Sequence, residues 1–130
     1  MTILEAIGGW FEEQELGTPG IDLFLQDRPS RPVALTALYL DGGMVESYRP
    51  TRRVRLRCSV RAETAPEALD GAEAIFERLH QRENFPIGDG WWCYLALGRK
   101  APMLARRSQP DGGGPGAVAE CVVEMVVRAA

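Results

Sequence analysis

The stretch Arg53-Val-Arg-Leu-Arg-Cys-Ser-Val-Arg61 decides the architecture. Val54, Leu56, Cys58 and Val60 fall on one side of an extended chain, and Arg53, Arg55, Arg57, Ser59 and Arg61 on the other. Strict alternation over this length is the period of a β-strand with one face in a core. A helix would scatter both sets around its circumference. Three residues later Thr64-Ala-Pro-Glu67 reads as a capping box, with proline accepted in the first turn because no intrahelical N–H bond is lost there. The helix it opens is predicted to run to about Arg82. Leu69, Ala72, Ile75, Phe76 and Leu79 form its apolar face, and Asp70, Glu73, Glu77 and Arg78 fall largely outside it. Trp91 to Leu97 is the next strand, after a turn at Asp89-Gly90. A strand, a helix and a strand follow one another here. If the two strands are parallel in one sheet, their crossover should be right-handed.

Working toward the N-terminus, Met44 to Tyr48 leads into the alternating strand, and Asp41-Gly-Gly43 is a strong turn signal that ends a strand over Val33 to Leu40. Asp27-Arg-Pro-Ser-Arg-Pro32 is a turn region with two prolines, and Ile21 to Leu25 is a short first strand. Before it, Thr2 and Glu5 form a second capping box, and Ile3, Ile7, Trp10 and Phe11 make one helical stripe. Gly8 and Gly9 weaken that helix by up to about 1 kcal/mol each relative to alanine, so packing must hold it. Gly17 is its stop, with Pro19 beyond. Toward the C-terminus, residues 98–116 read as a long connection. Ala117 to Arg128 closes the chain as a strand, with Ala119, Cys121, Val123, Met125 and Val127 on one face. The order α-β-β-β-α-β-β predicts an α+β fold, a mixed, mostly antiparallel sheet with two helices packed on it. At 130 residues the chain suits a single domain over 1–130, with 98–116 as a long loop.

Composition narrows the function classes. Apolar residues make up 45% and charged residues 25%, an ordinary globular mix. The net charge of −3 argues against a binder drawn to nucleic acid by bulk charge. No run approaches the ~18 apolar residues of a membrane span. The opening MTILEAIGGWFEEQEL lacks a basic region and carries four acids in its first 15 residues, so it is not read as a signal peptide. Together these predict a soluble cytosolic protein. Cys58, Cys93 and Cys121 are odd in number, have no CxxC spacing and lie in apolar runs. They are expected to be buried thiols rather than metal ligands or a disulfide framework.

No constellation for catalysis emerges. His80, the single histidine, ends the second helix, where a cation would suit the dipole. It has no nucleophile or carboxylate at a recognisable spacing. Ser59 and Ser108 lack a nucleophile-elbow turn. Asp111-Gly-Gly-Gly-Pro-Gly116 lacks the Lys-Ser/Thr of a phosphate loop. The expectation is no enzyme, no catalytic residue, no metal and no cofactor.

Charge is distributed unevenly along the chain. Six arginines and no acids lie between Arg49 and Arg61, while residues 1–27 hold six acids and no base. The arginine stripe has three readings: a phosphate-facing surface, a solvated strand face guarded against edge pairing, or a partner for Glu120 and Glu124 across a strand pair. Pairing or a subunit contact is preferred over nucleic acid, because the whole chain is acidic. Trp91 and Trp92 point to opposite faces of a strand, so one belongs in the core and the other needs a cover, which with Tyr94 marks a candidate interface.

The sequence resembles the small tail-terminator and minor-capsid (tail completion) proteins of long-tailed bacteriophages. The resemblance is carried by RVRLRCSVRAETAPEALDGAEAIFERLH (Arg53 to His80), by the loop from Pro102 to Gly112, and by AVAECVVEMVV. It covers most of the chain. Relatives usually keep a tighter loop before the last strand, where this chain carries Gly112-Gly-Gly-Pro-Gly116. The resemblance implies a virion protein, assembled in the host cytoplasm, that forms a ring, commonly a hexamer, at the head-proximal end of the tail. Such a ring stops tube polymerisation and meets the head–tail connector. Its partners would be itself, the tail tube protein and the connector, with incidental DNA contact in the lumen and no membrane. Gene transfer agents, which are phage-derived, use similar proteins. Ring closure needs two different, complementary patches. Arg53, Arg55, Arg57 and Arg61, the tryptophans Trp91 and Trp92, the acids Glu12, Glu13 and Glu15, and the loop residues Arg106 and Arg107 are the candidate contact residues. The acidic start and the basic strand are expected to face each other between subunits. The alternative is a cytosolic binding module that holds an anionic ligand or nucleic acid on its arginine face.

Overall fold

A computed structural model describes residues 2–45, 51–88, 90–105 and 116–129. The elements are α1 (Ile3–Glu13), β1 (Leu23–Leu25), β2 (Leu35–Val45), β3 (Thr51–Ala62), α2 (Ala65–Leu79), β4 (Arg82–Ile87), β5 (Trp91–Leu104) and β6 (Ala117–Ala129). The strands form one sheet in the order β1-β2-β3-β6-β5-β4. Only the β1–β2 pair is parallel. The fold is therefore α+β, a mixed, mostly antiparallel sheet under two helices, as the patterning predicts.

The alternating strand is central. β3 pairs with β6 in unbroken register from Thr51↔Arg128 to Ala62↔Ala117. Leu56, Cys58, Cys121 and Val123 meet in the middle of that seam and are fully buried. Burial of a side chain such as Leu56 stabilises by about 1.5–3 kcal/mol. Both helices pack on this face, and their stripes join one core with Leu38, Phe85 and Cys93. α1 reaches both margins of the sheet. Leu25 of β1 packs against Gly8, and the Trp10 ring lies 5.5 Å from that of Phe85 in β4.

Both helix starts follow their caps. The Thr2 hydroxyl accepts from the Glu5 N–H at 3.2 Å and donates to the Glu5 carboxylate at 3.1 Å. Thr64 accepts from the Glu67 N–H at 3.4 Å. α2 stops at Leu79 rather than near Arg82 because His80 turns to extended backbone and Gln81 adopts φ 63°. The chain then enters β4, a strand the sequence reading omits. Its only buried side chains are Phe85 and Ile87, and Pro86 marks it as an edge strand.

Three further boundaries differ. β1 starts at Leu23, leaving Ile21 outside the strand and 67% exposed. β2 runs through Asp41-Gly-Gly43 instead of ending there. The register slips between Leu40 and Gly43, and Gly42 takes φ 94°, so the glycines supply a bulge and not a turn. β5 continues to Leu104, so the first part of the expected 98–116 loop is strand, paired with β6 through two register slips. Most of the remainder of that loop lies outside the described residues.

Helix α2 sits close to the sheet at two glycines. A Cβ on Gly71 would come within 2.7 Å of Val60. One on Gly98 would come within 2.3 Å of the Phe76 ring and 2.9 Å of His80. The Phe76 and His80 rings stack at 4.9 Å, and His80 Nδ1 accepts the Gly98 N–H at 2.9 Å. Gly98→Ala should cost about 1–3 kcal/mol through overpacking. In a Phe76→Ala background the same change should cost measurably less, with the His80 contact as the part that remains. Urea unfolding of the four proteins measures both, and an equal cost in the two backgrounds would exclude the ring contact as the cause.

Candidate assembly face

Among the described residues, no helix lies on the second face of the sheet. Its residues follow from the register. Tyr39 and Asp41 of β2 lie there, with Arg53, Arg55, Arg57, Ser59 and Arg61 of β3. β6 adds Val118, Glu120, Val122, Glu124 and Val126, and β5 adds Trp92, Leu95 and Leu97. The three valines, the two leucines and Trp92 are half-buried.

One end of this face is closed. The segment between Asp27 and Leu35 folds over it, and Arg61 holds that segment down. The Arg61 guanidinium donates to the carbonyl oxygens of Pro29 at 2.7 Å, Pro32 at 2.8 Å and Val33 at 2.9 Å. It is 3% exposed. Burial, and then the nearby Arg28 charge, lower its pKa from the ordinary value, yet an arginine remains charged. Arg28 donates to the buried Ser59 hydroxyl at 3.2 Å. Arg61 is thus a clamp on its own chain, a correction to its place among the contact candidates. The alternation that marks β3 could not reveal this, because the covering loop has no periodicity.

Arg57 is also engaged. Its Nε donates to Asp41 at 3.1 Å and its Nη1 to Glu120 at 3.2 Å, and the guanidinium lies 4.3 Å over the Tyr39 ring. Burial lowers its pKa, but the hydrogen bonds and charges of Asp41 and Glu120 outweigh that and raise it overall. The cross-strand reading of the stripe therefore applies to Arg57 and Glu120, which sit diagonally in the register. Glu124, directly opposite Arg55, instead pairs with Arg99 of β5 at 2.9 Å. Each such half-exposed pair contributes about 0.2–1 kcal/mol. Arg53 and Arg55 remain on the exposed part of the face. Arg55 has no ion pair among the described residues.

The tryptophans divide as their positions require, but neither ring is fully buried. Trp91 lies on the helix side at the rim of the core, with the Arg52 guanidinium 5.0 Å from its ring. Trp92 lies on the open side, opposite Arg128 in the register. Arg128 donates to the Tyr94 hydroxyl at 3.3 Å. Glu12 and Glu13 are exposed at the end of α1, and Glu15 just beyond it takes φ 60°. Arg106 and Arg107 lie outside the described residues.

Charge separates between the layers. α1 and α2 together hold seven acids and one base, whereas β3 holds five arginines and no acid; four of the five lie on the open face, with Asp41, Glu120 and Glu124. The one base of the helices, Arg78, donates to the Gln14 backbone and side chain. His80, which could have served as a cation or ligand, is an acceptor for Gly98. Among the described residues no group of three or more His, Cys, Asp or Glu side chains could hold a metal ion. No helix described is long and apolar enough to cross a membrane. The chain matches no protein-family profile and no curated protein by sequence.

All three thiols are buried. Cys58 and Cys121 are cross-strand partners. The hydrogen bond that the Cys58 thiol donates to Cys121, followed by burial and the Coulombic effect of Cys121, raises the Cys58 pKa well above the ordinary value. Burial pushes Cys93 up to about 12, against partial opposition from the Leu95 and Val126 backbone. A thiol whose pKa is higher folded than unfolded stabilises the fold fully below the unfolded value and loses that contribution as pH rises toward the folded one.

Two predictions follow from these placements. Stability should fall progressively as pH rises from about 9 toward about 12, the interval spanned by the Cys93 shift, and Cys93→Ala should flatten the fall. Thermal melts across that range test it. Arg61→Met should cost about 2–3 kcal/mol by removing the buried charged donor that three loop carbonyls share, whereas Arg55→Ala should stay within about 0.5 kcal/mol. Chemical denaturation of both variants checks the contrast.

Proposed function

We propose that this chain is a structural protein of a tailed phage or phage-like particle, and that it works by assembling with itself into a ring that ends the tail tube and meets the head connector. The carrying observation is the contrast between acidic helices on one side and, on the other, a half-apolar sheet face that presents Arg53 and Arg55 beside the internally paired Arg57 and Arg99. Two unlike patches that attract each other give a head-to-tail contact. Repetition of such a contact yields a ring if the rotation closes and a filament if it does not. The resemblance of residues Arg53 to His80 and of the closing strand to tail-terminator proteins supports the same reading. So does the role of the charged groups described, which hold strands and loops together.

The other reading, an arginine face for an anionic ligand or nucleic acid, is weakened by Arg61 and Arg57. One is spent on backbone carbonyls, the other on two carboxylates. A DNA site built on this face would show a steep loss of affinity with salt.

The test is the composition of purified tailed particles from the source. The chain should be found in them by mass spectrometry, and antibody labelling should place it at the head–tail junction. Deletion of its gene should give tails of uncontrolled length or tails detached from heads. Particles that lack the chain and assemble normally without it would exclude this function.

A further inference from the structure

We propose that Cys58 and Cys121 are an oxidisable pair, and that a small-molecule disulfide converts them into a cross-strand bond that staples β3 to β6. The inference goes beyond the assembly reading and does not depend on it.

The register supplies the geometry. Cys58 and Cys121 are direct partners in the unbroken β3–β6 ladder, and both are fully buried on the helix side of the sheet. Directly opposed residues of an antiparallel pair have Cα atoms about 4.5 or 5.5 Å apart, according to the type of pair. A disulfide spans Cα separations of about 4.4–6.8 Å. The bridge therefore fits the sheet as it stands, with no shift of either strand. The thiols already meet, since Cys58 donates a hydrogen bond to Cys121. Cys93 is too distant to compete. It sits on β5 opposite Val127, well along β6 from Cys121, and the rise of a strand puts about 20 Å between those two positions.

A free thiol in a core packs as a small hydrophobe, and valine or alanine would fill either position. Two opposed thiols add what those residues lack, a covalent link at the middle of the seam. The neighbouring pairs on the same face are Leu56 with Val123 and Val60 with Ala119. These side chains are apolar, so the bond displaces no hydrogen bond of theirs.

The chemistry is thiol–disulfide exchange. One thiolate of the pair attacks a sulfur of the small disulfide, forms a mixed disulfide and releases a small thiolate. The other thiolate then attacks the protein sulfur of the mixed disulfide, closes the Cys58–Cys121 bond and releases the second small thiolate. The pair gives up two electrons and two protons, and the two small thiols take them up. Exchange needs a thiolate and access to it. The folded chain withholds both, because the pair is buried and Cys58 is held protonated. The bond therefore closes while the chain folds or when the seam opens, and burial then shields it from reductant. It links the middle of the chain to its end, and stabilisation grows with the length of the loop closed.

The test refolds the chain from denaturant with oxidised glutathione, and a second sample with dithiothreitol. Each is then denatured, alkylated with iodoacetamide and weighed by mass spectrometry. The reduced chain should take three alkyl groups, one for each cysteine, and the oxidised chain one, at Cys93. Digestion without reductant should yield two peptides joined through Cys58 and Cys121. The oxidised chain should melt about 5 °C or more above the reduced one. Cys93→Ala should form the same bond and leave no thiol to alkylate. Three free thiols after refolding with oxidised glutathione would overturn the proposal. So would a bridge through Cys93, glutathione adducts left at Cys58 or Cys121, or an oxidised chain that melts no higher than the reduced one. None of these outcomes bears on the presence of the chain in tailed particles.

Discussion

The antiparallel seam between β3 and β6 is the constraint on which the rest of the structure depends. It joins the middle of the chain to its end over an unbroken register, and it assigns every side chain of both strands to one face or the other. A shift of one residue would send Leu56, Cys58, Cys121 and Val123 to the open face and bring the arginines into the core. The burial of those four side chains opposes such a slip far more strongly than any surface pair could. The same register places Arg57 within reach of Glu120 and leaves Arg55 facing a carboxylate already held by Arg99.

Given that seam, the two faces have different fates. The inner face is closed by α1 and α2, and the close approach of α2 depends on glycines at 71 and 98, where a side chain would strike Val60 or Phe76. Among the described residues, the outer face is closed only at one end, by a loop drawn down onto Arg61. What remains open is a row of valines and leucines beside two exposed arginines. It is also the region where the basic strand ceases to be uniform, since its five arginines serve at least three different purposes.

Much of this was legible in the residues. The helix starts, the class of sheet, the closing strand and the burial of the cysteines all rest on local signals: caps, period-two alternation and apolar runs. The misread boundaries share a cause. Asp41-Gly-Gly43 carries the chemistry of a turn, yet positive φ at Gly42 serves a bulge equally well. Arg82–Ile87 gives no strand signal beyond the helix end near Arg82, because only Phe85 and Ile87 alternate into the core. Residues 98–104, with a glycine, a proline and bulges at Arg99 and at Ala101-Pro102 among them, look like loop until β6 is there to pair with them.

The sequence alone determined which strands have an inside and an outside, because alternation of apolar and charged residues allows only one burial of the chain. It also set the opposition of acidic helices and basic strand. Only the tertiary structure decided which arginines stay at the surface. That choice depends on a loop distant in sequence crossing Arg61 and on carboxylates from two other strands reaching Arg57, and neither neighbour leaves a mark in the local pattern of β3.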